Sequence, residues 1–180
     1  MWNVPNILTL FRIFLIPVFV FCFYSTHEHA RFLAAFVFWL AAITDALDGY
    51  LARKLQQSTP FGAFLDPVAD KVMVAAALVL IAVDMQTLWV TVPAFVMISR
   101  EIIISGLREW MAAVGRSAQV KVSDMGKWKT AVQMLALIGL IWQPITWITD
   151  LGMALLYFAT LLTLWSMVVY FRAAWQDLKQ

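Results

Sequence analysis

Six long apolar runs joined by short polar connections constrain this chain more than any other feature. A helix crossing a hydrocarbon core of roughly 30 Å needs about 20 apolar residues, and runs near 7–25, 32–53, 63–83, 87–108, 128–143 and 146–171 take up nearly all of the 180 residues. With 63% hydrophobic and only 13% charged residues, a soluble domain is excluded. Lipid admits only helices or closed barrels, and the runs are continuous rather than alternating, so helices are predicted. The expected fold is all-α: a polytopic protein with six transmembrane helices forming a single membrane domain over 1–180. The first run lacks a basic segment before it and a small-residue cleavage site after it, so it reads as a retained span.

Charge distribution gives the sidedness. Of the 13 Lys and Arg residues, all but Arg31 fall toward the side shared by the termini and the second and fourth connections. The positive-inside rule then puts both termini and the 53–63 and 109–127 connections in the cytoplasm. Trp89, Trp142 and Trp147 suit an outer aromatic belt, and Trp2, Trp110, Trp128 and Trp175 an inner one. Pro5, Pro60, Pro67 and Pro144 are expected near span ends, whereas Pro17 and Pro93 fall inside spans as kinks. The polar 109–127 segment is expected as a short interfacial helix or a mobile loop. A single cysteine, Cys22, rules out an intrachain disulfide, and His27 and His29 lack the partners of a zinc site. The net charge of +2 is too small to suggest nucleic acid.

Chemistry concentrates between the second and third runs, where Asp45, Asp48, Gly49, Ala52 and Arg53 are followed by Gly62, Asp66 and Asp70. At about 100° per residue, the first four share one helix face, and Gly62, Asp66 and Asp70 share a face of the next helix. A short connection makes the two helices antiparallel neighbours, so four carboxylates can converge. An intramembrane Asp costs about 3 kcal/mol on insertion scales, and the charge must be offset. Protonation or nearby Arg and Lys could do this. Two divalent cations match four carboxylates in charge, and all-oxygen ligation suits Mg²⁺ or Mn²⁺. Paired metals clamp the attacking and leaving oxygens of a displacement at phosphorus, which makes phosphoryl-type transfer the favoured reading. Gly49, Ala52 and Gly62 would let a base or diphosphate approach the backbone, and Arg53 would bind diphosphate oxygens. Blander roles also fit: Asp66 as an N-cap before Pro67, Gly49 as a packing contact, and Arg53 as a topological anchor.

Asp45-x2-Asp48-Gly49-x2-Ala52-Arg53-x8-Gly62-x3-Asp66-x3-Asp70 resembles, without departure, the signature of the CDP-alcohol phosphotransferases. The resemblance implies a homodimer of six-helix chains with a two-metal site open to the cytoplasmic leaflet of a bacterial inner membrane. It further implies that a CDP-linked lipid, CDP-diacylglycerol, donates its phosphatidyl group to an alcohol and releases CMP. Carried onto this chain, Asp45, Asp48, Asp66 and Asp70 become metal ligands, with Asp70 also the general base. Gly49, Ala52, Arg53 and Gly62 line the CDP pocket.

The signature leaves the alcohol open. Arg100, Arg108, Lys127 and Lys129, at the cytoplasmic ends of the fourth and fifth runs, would suit an acceptor carrying a phosphate dianion. An ordinary topological role serves Lys129 and Arg116 equally well, and Glu101 could pair with Arg108 along one helix face. The stretches Val4–Arg12, Ser99–Glu101 with Arg108 and Glu109, and Gly126–Thr130 with Gln133 resemble those members whose acceptor is sn-glycerol 3-phosphate. Asn6 and Thr9, with Arg12, could reach the nucleotide or satisfy polar groups near the membrane surface. Members of the phosphatidylinositol phosphate or cardiolipin synthase type are the rival within the family. An ion or proton transporter using the aspartates is the rival outside it. Transporter sites lie near the midplane, and these aspartates neighbour Arg53, Lys54 and Lys71 at a span end.

Overall fold

The structure, a computed structural model, describes residues 4–55, 60–114 and 124–178; several side chains within the helices, those of 48–53 and 124–127 among them, lie outside the description. The described residues form six helices in chain order: α1 (Val4–Tyr24), α2 (Ala30–Leu55), α3 (Pro60–Met85), α4 (Leu88–Ala113), α5 (Asp124–Trp142) and α6 (Thr146–Leu178). Four stretches are long and apolar enough to cross a membrane: Asn6–Tyr24, Ala30–Leu47, Leu88–Ala113 and Thr146–Arg172. The two remaining helices differ for visible reasons. Asp66, Asp70 and Lys71 interrupt the first half of α3, and the apolar part of α5 is the shorter Trp128–Trp142.

Apolar side chains cover both the inside and the outside. Phe14, Phe21, Phe95 and Leu161 are exposed, as lipid-facing residues would be, and so are Trp89, Trp147, Trp128 and Trp175 near the helix ends. Inside, Phe19 packs against Phe38 with ring centroids 5.8 Å apart, among small residues such as Ala34, Ala77, Ala136 and Ala159. With lipid outside, no hydrophobic gradient drives helices together, so close packing over small residues must do so. Gly139 and Gly152 show this best: a Cβ on Gly139 would lie 3.6 Å from the Gly152 Cα, and one on Gly152 only 3.0 Å from Leu140 Cγ. These glycines let α5 and α6 approach closely.

Pro17 and Pro93 lie inside unbroken helices, as expected. Pro67 does not sit at a helix end. α3 begins at Pro60, so Pro67 and Asp66 lie two turns in, and the N-cap reading of Asp66 is excluded. At the opposite end of the bundle, Arg31 pairs with Asp84 and stacks over Phe23, while Gln143 donates to the Leu140 carbonyl at 2.7 Å. Arg31 of α2 is thus neutralised by a carboxylate of α3.

α1 packs against both α2 and α3, whereas α2 and α3 touch each other only sparsely among the described residues. Among the described residues, the aspartate-bearing helices are linked chiefly through α1. α4 packs on α3 and α6, and α5 on α2 and α6.

Candidate active site

Arg12 is the centre of the first polar cluster. It sits two turns into α1 and its side chain is only 1% exposed. One of its terminal nitrogens, Nη1, lies 2.7 Å from Asp45 Oδ1 of α2 and 3.2 Å from Asp66 Oδ1 of α3. Asp45 and Asp66 are brought together, as their spacing predicts, but through a guanidinium from a third helix. Both carboxylates keep a partly open face, whereas Arg12 has none. Asn6 and Thr9 are buried on the same helix, and Thr44 caps its hydroxyl onto the Ala41 carbonyl one residue before Asp45.

Asp70 follows Asp66 by one helical turn, on the same face of α3. It lies within electrostatic reach of Asp45, Asp66 and Arg12 on one side and of Glu101 on the other. It is also in the wall of a cavity of about 900 Å³ bounded by α3, α4, α5 and α6. Asp70 therefore joins the aspartate cluster to this space.

A second polar cluster lines the cavity. Glu101 Oε1 accepts from Arg100 Nη1 at 2.7 Å and from Lys129 Nζ at 2.8 Å. Arg100 donates its other terminal nitrogen to Ser166 on α6 at 2.9 Å. Arg108, one face further along α4, donates to the Tyr170 hydroxyl at 2.7 Å and lies over its ring. Lys71 reaches Ser105, whose hydroxyl in turn donates to the Glu101 carbonyl. Four cations and three carboxylates, Asp70, Glu101 and Glu109, thus surround one space whose far wall is apolar, with Leu78, Met97, Leu162 and Trp165.

These positions sort the sequence-based expectations. Arg100, Arg108 and Lys129 share one cavity, and Lys129 is buried and ion-paired, which excludes a purely superficial role. Glu101 pairs with Arg100 and Lys129, not with Arg108 as the helix-face reading allowed. The side chains of Asp48, Ala52, Arg53 and Lys127, and the surroundings of Gly49, lie outside the described residues. Gly62 lies on the first turn of α3, half-buried, four residues before Asp66. Arg12 is a site residue that motif reasoning left among the nucleotide contacts and basic anchors. Its only signal was a lone cation early in an apolar run. Ser166 and Tyr170 gave no sequence signal.

Buried cations around a cavity, joined by one carboxylate to an aspartate cluster, form the polar centre of this apolar helical bundle. A model of the CDP-alcohol phosphatidyltransferase family matches residues 2–165, and the chain belongs to that family. It is an enzyme of the phosphatidyltransferase class. A protein of Haemophilus influenzae (strain ATCC 51907 / DSM 11121 / KW20 / Rd) named CDP-diacylglycerol–glycerol-3-phosphate 3-phosphatidyltransferase is 56% identical over 173 residues, 96% of this chain and 94% of that protein. Proteins of the same name from Escherichia coli (strain K12) and Shigella flexneri are each 55% identical over 177 residues, 98% of this chain and 97% of theirs.

The family is generally divalent-metal dependent. The donor set here fits such an ion in chemistry: Asp45 and Asp66 are hard oxygen donors that already converge on one positive group, the Arg12 guanidinium. Among the described residues alone, no group of three His, Cys, Asp or Glu side chains is gathered closely enough to hold a metal. Asp48 is the aspartate of the signature whose side chain lies outside that description.

Proposed function

We propose that this chain transfers the phosphatidyl group of CDP-diacylglycerol to sn-glycerol 3-phosphate, giving phosphatidylglycerophosphate and CMP. The observation that carries the reading is the position of Asp70, which is shared between the aspartate cluster and a cavity walled by Arg100, Arg108 and Lys129. An acceptor held by its phosphate in that cavity presents its hydroxyl toward Asp70. The printed names of the relatives support the same pair of substrates.

Asp45, Asp48, Asp66 and Asp70 would hold two divalent cations, Mg²⁺ or Mn²⁺, which when bound offset the charge of a diphosphate. Asn6, Thr9, Gly49, Ala52, Arg53 and Gly62 form the nucleotide side of the site, with the small residues allowing close approach of the backbone. Lys127, with Arg100, Arg108 and Lys129, holds the acceptor phosphate through charge-assisted hydrogen bonds. Asp70 takes the proton of the acceptor's 1-hydroxyl as its oxygen attacks the lipid-bearing β-phosphorus. A new P–O bond forms, the bond from that phosphorus to the bridging oxygen breaks, and CMP leaves with the electron pair. Arg12 keeps Asp45 and Asp66 in one place, so their convergence need not be assembled during turnover.

In this reading the whole chain is one membrane domain with six spans and cytoplasmic termini, in a bacterial inner membrane. It acts as a homodimer, and the donor's acyl tails remain in the inner leaflet. Twelve of the 13 basic residues on one side support that orientation. The test is purified protein in vesicles supplied with CDP-diacylglycerol and, separately, glycerol 3-phosphate, inositol phosphate, phosphatidylglycerol and plain glycerol. CMP is expected only with glycerol 3-phosphate, and its release is expected to stop with a chelator. Release with another acceptor and not with glycerol 3-phosphate would reassign the substrate.

A further inference from the structure

Glu101 is out of place in a site that collects anions. Its single oxygen Oε1 takes hydrogen bonds from both Arg100 and Lys129, the two most buried cations of the cavity. Arg100 has its other terminal nitrogen committed to Ser166, so it cannot offer a fork to any ligand while it holds Glu101. Two buried cations facing one space without a counterion would repel each other strongly, which explains why some anion must be present. Glu101 itself is not locked away: its side chain is 31% exposed, against 9% for each cation it binds.

We infer that Glu101 is a specificity-determining residue: its carboxylate occupies, between Arg100 and Lys129, the position that a phosphate takes on binding, and only a ligand able to displace it gains both cations. This rests on the reading of the cavity as the acceptor site. A phosphate dianion carries more charge and more acceptor oxygens than a carboxylate and wins the exchange. A monoanion gains little over the resident group, and a neutral alcohol gains nothing. The partly exposed carboxylate has cavity space to swing into, and Lys71 and Arg108 line the same space to receive it. The residue thus stabilises the unliganded site and rejects weak acceptors by the same contact, a repulsive element of the kind that selectivity requires.

The direct test titrates inorganic phosphate, and separately acetate, into the full-length protein in lipid nanodiscs, comparing the wild type with Glu101→Gln by calorimetry. Removing the resident charge is expected to tighten phosphate binding by about tenfold. Acetate, which must displace the same carboxylate, is expected to gain no more than phosphate does and to rise from undetectable to weak binding. In turnover, the KM for glycerol 3-phosphate is expected to fall by a similar factor while the KM for CDP-diacylglycerol stays unchanged. Phosphate affinity that is unchanged or weaker in Glu101→Gln overturns the inference and makes Glu101 a residue that merely orients its neighbours. A shift confined to the CDP-diacylglycerol KM also overturns it, by assigning the position to the donor's phosphates. If Glu101→Gln fails to fold, Glu101→Asp retracts the charge by one methylene; a smaller gain in phosphate affinity is then expected, and no gain overturns the proposal. The calorimetric arm needs no turnover. A wild type that releases no CMP with glycerol 3-phosphate would sink the substrate reading and leave the Glu101 result to stand or fall separately.

Discussion

The two polar centres are mirror images in charge. At the first, one cation, Arg12, serves two carboxylates, Asp45 and Asp66; at the second, one carboxylate, Glu101, serves two cations, Arg100 and Lys129. Among the described ion pairs each is left one counterion short, and in opposite senses. A centre short of positive charge suits a metal ion, and a centre short of negative charge suits a phosphate. Asp70 stands where the two meet, within reach of the aspartates and in the wall of the cavity that the second centre lines.

The comparison breaks most decisively at their junction. Asp70→Asn preserves shape and removes the base, so kcat measured as CMP release is expected to fall by about a thousandfold. Near-normal turnover would detach the aspartate cluster from proton transfer. Arg12→Met keeps the length of the side chain and removes the cation between Asp45 and Asp66. Repulsion between those acids is expected to lower turnover by roughly a hundredfold and to destabilise the fold by about 1–3 kcal/mol, read from thermal melts. Arg100→Ala should act on the other centre alone. Its KM for glycerol 3-phosphate is expected to rise by some ten- to a hundredfold, with the KM for CDP-diacylglycerol little changed. An equal rise in both would erase the division into two centres. The smallest effect is expected away from both: Gly152→Ala presses a methyl toward Leu140 and should cost about 1 kcal/mol of stability with both KM values intact.

Much of the first centre was legible because its parts are local. Asp66 and Asp70 lie one turn apart, and helical periodicity alone puts them on one face. The order and rough extent of the helices followed from apolar run length in the same way. Arg12 was not legible, because the contact with Asp66 spans 54 positions and nothing near Arg12 in the chain distinguishes a buried clasp from a membrane-surface anchor. The second centre is less local still. Arg100 meets Ser166 across 66 positions and Arg108 meets Tyr170 across 62, and neither α6 residue belongs to any pattern. Lys129 shows the limit in one residue: its position at the start of an apolar run is that of a topological lysine, yet its amine is buried against Glu101.

What the amino-acid order determined by itself was the helical, lipid-facing character of the chain and the spacing of its aspartates, since hydrophobic run length and a repeat of 3.6 residues are properties of the strand of residues alone. Only the packing of α1 against both α2 and α3, and the approach of Lys129 on α5 to Glu101 on α4, decided which charges share a counterion. The reason is physical: in a low-dielectric interior the fate of a charge is set by what lies within a few ångströms of it, and those neighbours come from other helices.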